Sequence, residues 1–192
     1  GGGAGMIKTP ELALEVIRAT MDGAVKGNRR IPVSVKTRVG YNKVELEDWL
    51  PKLLSAKPAA ITIHARTRKE MSDVPARWEH VRRAVEIAKG SGTLIIGNGD
   101  VKDLADAREK ASLSGADGVM IGRGIFGNPW RFNSDIDIAD ISLERRFEVM
   151  LEHTKLFEEL LGDIKNFATM KKHYKAYVNG FDGAKELRMK LM

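Results

Sequence analysis

An α/β fold of four strand-helix units, followed by a small all-helical domain, is what this sequence predicts. Three observations carry that prediction. Four short β-branched or apolar runs, centred near residues 35, 63, 95 and 119, recur at about the length of one strand-helix unit. Each ends in a polar or glycine cluster: Lys36/Arg38, His64/Arg66, Asn98/Asp100 and Gly122/Arg123. In a parallel sheet all four clusters reach the carboxyl-end face, where such folds place their sites. After Trp130 the strand pattern gives way to helical periodicity.

Taken in order, Gly1 to Gly5 opens the chain as a glycine-rich loop, and Thr9-Pro10-Glu11 starts a helix with a hydroxyl cap, proline at the first position and an acid in the first turn. Leu12, Val16 and Ile17 are expected to face the core, with Gly27 near the stop. Ile31 to Arg38 is the first strand. Glu45 to Ala56 reads as a helix in which Pro51 marks a kink or a late start. Ala59 to His64 is the second strand, followed by the basic run Arg66 to Lys69 and a helix from Arg77 to Lys89. Thr93 to Gly97 is the third strand, entering the turn Asn98-Gly99-Asp100; a helix then runs to Ser114, with Gly115 as its stop. Asp117 to Ile121 is the fourth. Residues 133–141 read as a linker, so the domains are expected at 1–132 and 133–192. Ser142 caps a long helix whose stripe is Leu143, Phe147, Met150, Leu151, Phe157 and Leu161; two further helices follow.

Composition bounds the chemistry. The 192 residues contain no cysteine, which excludes disulfides, thiolate metal sites and a thiol nucleophile within this chain, and fits a cytoplasmic setting. No apolar run approaches a membrane span, and no metal-ligand cluster stands out. The formal charge of +6 favours a polyanionic partner. From Arg131 onward acids and bases balance at eleven each, so the excess is local: Lys165, Lys171, Lys172, Lys175, Lys185, Arg188 and Lys190 oppose only Asp182 and Glu186. With Tyr174 and Tyr177 interleaved, that is the pattern of a phosphate-backbone footprint.

At the fourth strand, Gly118-Val119-Met120-Ile121 runs into Gly122-Arg123-Gly124, a turn that sets backbone N–H groups beside a guanidinium, as phosphate binding requires. The blander readings stand beside it: a solvated Lys36, a histidine at 64 satisfied by backbone, a plain turn at 98–100, and a structural ion pair for Arg123.

These residues together resemble the tRNA-dihydrouridine synthases. The resemblance rests on Pro32-Val33-Ser34-Val35-Lys36-Thr37-Arg38-Val39-Gly40, Ile61-Thr62-Ile63-His64-Ala65-Arg66-Thr67-Arg68, Gly97-Asn98-Gly99-Asp100, and Gly118 to Gly124 with Asn128-Pro129-Trp130. Lys171-Lys172-His173-Tyr174, Tyr177, Gly180 and Arg188 resemble that family's helical tRNA-contacting domain. The resemblance implies a (β/α)8 TIM barrel that reduces uridine in tRNA to 5,6-dihydrouridine with FMN, NADPH reducing the flavin. It implies that Lys36 and His64 contact the flavin, that Asn98, Gly99, Asp100, Gly122 and Arg123 bind its ribityl phosphate, and that Arg66, Arg68, Lys171, Lys172 and Arg188 contact tRNA.

A full barrel has eight strands and four are found here, so the chain is expected to be the C-terminal half of the barrel plus the helical domain. The family's general-acid cysteine is absent, hence no catalytic residue is assigned and the isolated chain is expected to be inactive. Two copies pairing edge to edge, or a missing N-terminal half, would close the barrel. The competing readings are a non-catalytic tRNA-binding module and another FMN-barrel oxidoreductase acting on a small pyrimidine. The basic helical tail weighs against the second.

Overall fold

The computed structural model describes residues 3–26 and 29–192. They fall into two compact units, Gly1–Gly122 and Arg123–Met192. In the first, a short 3-10 segment Gly3–Lys8 leads to α1 (Pro10–Gly23), which has proline at its start but no cap bond from the Thr9 side chain. Ala13 and Ile17, four residues apart, form its buried stripe. Leu12 and Val16, expected in the core, are 50% and 42% exposed, because they lie one residue, about 100°, around the helix from that stripe. The helix ends at Gly23. Gly27, the anticipated stop, lies outside the described residues, as do Gly1 and Gly2.

A two-stranded antiparallel ribbon that the sequence did not announce follows, β1 (Val25–Lys26) against β2 (Arg29–Arg30). The first strand of the main sheet, β3 (Ser34–Arg38), begins three residues later than expected, since Pro32 has no N–H to give a ladder. Next is α2 (Leu46–Ser55), an uninterrupted helix with Pro51 inside it. Pro51 lies on the exposed side of the helix, and the carbonyl left without its N–H belongs to Glu47, also exposed. Then come β4 (Ala60–His64), α3 (Glu79–Ala88), β5 (Leu94–Asn98), α4 (Leu104–Ser114) and β6 (Gly118–Met120). Asp103 caps α4 by accepting from Asp106 N, and Gly115 closes it at φ 72°, the left-handed conformation that favours glycine.

The strands β3-β4-β5-β6 form one sheet in that order, every neighbour pair parallel. Strand-helix alternation in sequential parallel order is the architecture of part of a (β/α)8 barrel. Its helix-facing side holds the core, in which Leu46, Leu50, Leu53, Ile61, Ile63 and Ile95 are all at most 2% exposed. Burying each such side chain stabilises the unit by about 1.5–3 kcal/mol before entropy is counted.

The second unit is helical: α5 (Leu143–Leu161), α6 (Ala168–Tyr177) and α7 (Ala184–Leu191). Ser142 caps α5 through Arg145 N. Met150, Phe157, Met170, Tyr174, Tyr177 and Val178 make the core. Leu151 and Leu161 belong to the expected stripe yet are 55% and 39% exposed; the buried positions of α5 are Met150 and Phe157, seven residues and about two turns apart. Arg146 donates to Tyr177 O (2.9 Å) and Asn179 O (3.2 Å), tying α5 to the end of α6. The division between units falls earlier than the boundary expected at 132/133. Gly127 explains why: its main chain lies so close to α6 that a Cβ there would stand 2.3 Å from Ala176 O.

Candidate functional site

Register builds the site. Arg38 pairs with His64, His64 with Asn98, and Asn98 with Met120, in one row across the carboxyl ends of the strands. Two residues back, Lys36 pairs with Thr62, Thr62 with Ile96, and Ile96 with Gly118. Strand side chains alternate, so both rows share the face opposite to the buried Ile61, Ile63 and Ile95. Three basic side chains, Lys36, Arg38 and His64, therefore stand on one face of the sheet, with Thr62 and Asn98 beside them. The sequence motifs contained Arg38 without giving it a role, and the pairing register shows why it belongs with His64.

The concentration of charge tells on its members. Burial pushes the His64 imidazole down to about 4, with Arg38, Lys36 and Arg66 adding to the depression and Asp100 opposing it. Lys36 is likewise held below its ordinary value, by desolvation and then by Arg38. At neutral pH His64 is an uncharged imidazole. Arg66 Nη1 lies 3.5 Å from His64 Nε2. Unfolding returns His64 to its ordinary value of 6.5, so the unfolded chain binds the proton first as pH falls. Stability is thus expected to decline as pH drops from 6.5 through about 4. Urea midpoints measured across that window should slope downward in the native sequence, and His64→Gln should flatten the slope.

Beneath His64 lies a buried clamp. Arg66 is 3% exposed; its Nη2 meets Asp100 Oδ2 at 2.5 Å and its Nε donates to Val74 O at 2.5 Å. Asp100 Oδ2 also accepts from Ala76 N at 2.9 Å. The sequence reading gave Arg66 to tRNA, whereas the structure commits its guanidinium to Asp100 and the 74–76 loop. Trp78 Nε1 donates to Gly99 O at 2.9 Å, and Asn98 Nδ2 to Met120 O at 2.8 Å, so the 98–100 turn is anchored on both sides. Gly99 has φ +127°, and a Cβ there would stand 2.7 Å from Ala76 Cβ and 3.3 Å from the His64 ring. The main chain passes close to His64 because position 99 has no side chain.

Lys36, His64, Asn98, Gly99 and Asp100 are thus gathered at one end of the sheet. Gly122 ends the first unit, with no atom within 4 Å of where its Cβ would be; Arg123 opens the second in a short 3-10 segment, Arg123–Ile125. Arg68 is exposed, with its guanidinium 5.6 Å from the centre of the Tyr41 ring, over which Lys8 Nζ sits at 4.0 Å. In the helical unit Lys172 is exposed, Lys171 Nζ bonds the main-chain oxygen of Met192, and Arg188 donates to Val178 O at 2.7 Å. Two of the three helical-unit cations expected on RNA therefore also tie down that unit. Among the described residues no group of three or more acidic, histidine or cysteine side chains could hold a metal ion, and no helix is long and apolar enough to cross a membrane.

Comparison with known proteins agrees with this geometry. The family model for dihydrouridine synthase (Dus) matches residues 1–192. A "Probable tRNA-dihydrouridine synthase" of Staphylococcus aureus (strain MRSA252) is 39% identical over 100% of this chain and 57% of its own length. One from Staphylococcus epidermidis (strain ATCC 12228 / FDA PCI 1200) is 39% identical, and "Probable tRNA-dihydrouridine synthase 2" of Bacillus subtilis (strain 168) 36% identical, each over 100% of this chain and 58% of the relative. The chain thus spans well under two thirds of the length of these curated relatives. With strand order, site motifs and a match over the whole chain in agreement, the protein belongs to the dihydrouridine synthase family.

Proposed function

We propose that this chain carries the phosphate-side flavin site and the RNA-contacting helices of an enzyme that reduces uridine in tRNA to 5,6-dihydrouridine, with FMN as cofactor and NADPH as reductant. The observation that supports it most is the face of two cations, Lys36 and Arg38, with neutral His64 between a basic strand end and a turn whose Gly99 brings bare main chain against the histidine. A phosphate-bearing, electron-accepting ring fits that donor set. Lys36 supplies positive charge where reduction adds negative charge. His64 offers one ring N–H donor without adding a further cation. Gly122 and Arg123 keep the phosphate-binding role that the Gly122-Arg123-Gly124 motif suggests. When bound, the flavin supplies hydride chemistry to the pyrimidine ring.

The helical unit, with Lys171, Lys172 and Arg188, is the tRNA-facing part, and Arg68 joins it as an exposed cation. A cytoplasmic enzyme suits that substrate. Closing an eight-stranded barrel on this half takes four more strands beside β3 and β6, from a second copy or from another segment. The chain has no thiol to protonate the uridine ring. Titrating the purified chain with FMN tests the cofactor site directly. Incubation with FMN, NADPH and unmodified tRNA is expected to yield no dihydrouridine. Product in that reaction would overturn the assignment of the proton donor to a cysteine outside this chain.

A further inference from the structure

Within the helical unit lies a cavity of about 460 Å³, large enough for a planar heterocycle with room to spare. Its walls are aromatic on several sides: Phe126, Phe132, His153, His173 and Tyr177. His153 and His173 pack edge to face with centroids 4.9 Å apart, and Phe126 meets His173 the same way at 5.2 Å. Tyr177 OH lies 3.4 Å from His153 Nδ1, which fixes the orientation of that ring. Against these walls stands Asn128, 6% exposed, whose buried Oδ1 has no hydrogen-bond partner. That oxygen is fully enclosed and belongs to the packed wall, so the acceptor open to the cavity is the exposed carboxylate of Glu152. Lys172, exposed and adjacent in sequence to His173 of the cavity wall, adds a cation nearby.

We infer that this cavity binds a nucleobase extruded from the RNA substrate. Every base has a π-face to lay against the aromatic walls, and its edge N–H groups match the carboxylate of Glu152. Lys172 stands ready for the neighbouring phosphate. The inference rests on the RNA reading above and adds a second point of base contact, on the helices, distinct from the flavin face.

The protein has four histidines, so the His153 and His173 ring protons can be followed individually by NMR. Adding a single-stranded RNA oligonucleotide to the whole chain should shift both resonances by ring current. Phe132→Ala, at a side chain 66% exposed and so free of folding risk, should weaken that RNA roughly tenfold while leaving the salt dependence of binding unchanged. Glu152→Ala should weaken it as well, and Lys172→Glu should reduce the salt slope. Salt-dependent RNA binding with no histidine shifts and no loss in Phe132→Ala would overturn the base pocket while leaving the RNA reading intact. Shifts produced by free GMP in a chain that does not bind RNA would assign the cavity to a mononucleotide and overturn both. No response to either probe would do the same.

Discussion

Asp100→Ala is expected to cost about 3 kcal/mol of stability, because it strands the charge of a nearly fully buried arginine. Arg66 is 3% exposed and meets Asp100 at 2.5 Å; its other partners, Val74 O and the His64 ring, carry no negative charge. The same carboxylate accepts from Ala76 N, so the loop before Trp78 loses an anchor in the same step. Alanine at φ +48° adds a further penalty of about 1 kcal/mol, since Asp tolerates the left-handed region better. Asp100→Asn separates these effects. It keeps an acceptor for Ala76 and the tolerance for positive φ, and so should recover part of the loss. Chemical denaturation of both variants measures the difference. Equal losses in the two would show that the charge pairing, rather than the loop anchor, dominates; a loss under 1 kcal/mol in Asp100→Ala would show that Arg66 finds other compensation.

Gly40→Ala is the second large effect. A Cβ at position 40 would stand 1.9 Å from Lys43 O and 2.9 Å from Glu45 N, and both are main-chain atoms that no rotamer change can move. The turn is stitched by Glu45 N to Val39 O at 2.8 Å, Tyr41 N to a Glu45 carboxylate oxygen at 2.8 Å, and Arg68 N to Gly40 O at 2.9 Å. Opening it loosens the exit of β3, from which Lys36 and Arg38 project. The substitution is expected to destabilise by about 3 kcal/mol, the upper part of the range for overpacking. For a chain of this size that lowers the melting temperature by roughly 6–12 °C. The same substitution at Gly3, where nothing lies within 4 Å of the added carbon, is the control and should leave the melting temperature unchanged.

Local chemistry made the strands legible. Ile61-Thr62-Ile63 and Leu94-Ile95-Ile96 are β-branched or apolar runs bounded by polar turns, and the structure starts and stops them within a residue of expectation. Gly115 was equally plain, since a glycine after a polar helix end is a stop with a mechanism. What sequence could not convey was which partner a charged group would find. Arg66 sits in a basic run that looks solvated, yet its carboxylate comes from thirty-four residues downstream, a pairing set by the β4-β5 register. Arg38 was in plain view and gained its meaning only when that register placed it opposite His64. Helix faces were misjudged for a related reason. Leu12 and Leu151 are as apolar as their buried neighbours, and hydropathy alone does not say on which side the rest of the unit will pack. The helical-unit cavity left no local signature at all: Asn128, His153 and His173 are brought together from three separate stretches of chain.

The central claim is that the Lys36–His64 face is a flavin site. Fluorescence titration of FMN with the purified chain measures it most directly. The account predicts saturable quenching at micromolar protein, weakened roughly tenfold by Lys36→Ala, as the loss of one charge-assisted contact implies. A folded chain that leaves FMN fluorescence unchanged, or Lys36→Ala binding as tightly as the native sequence, would contradict it.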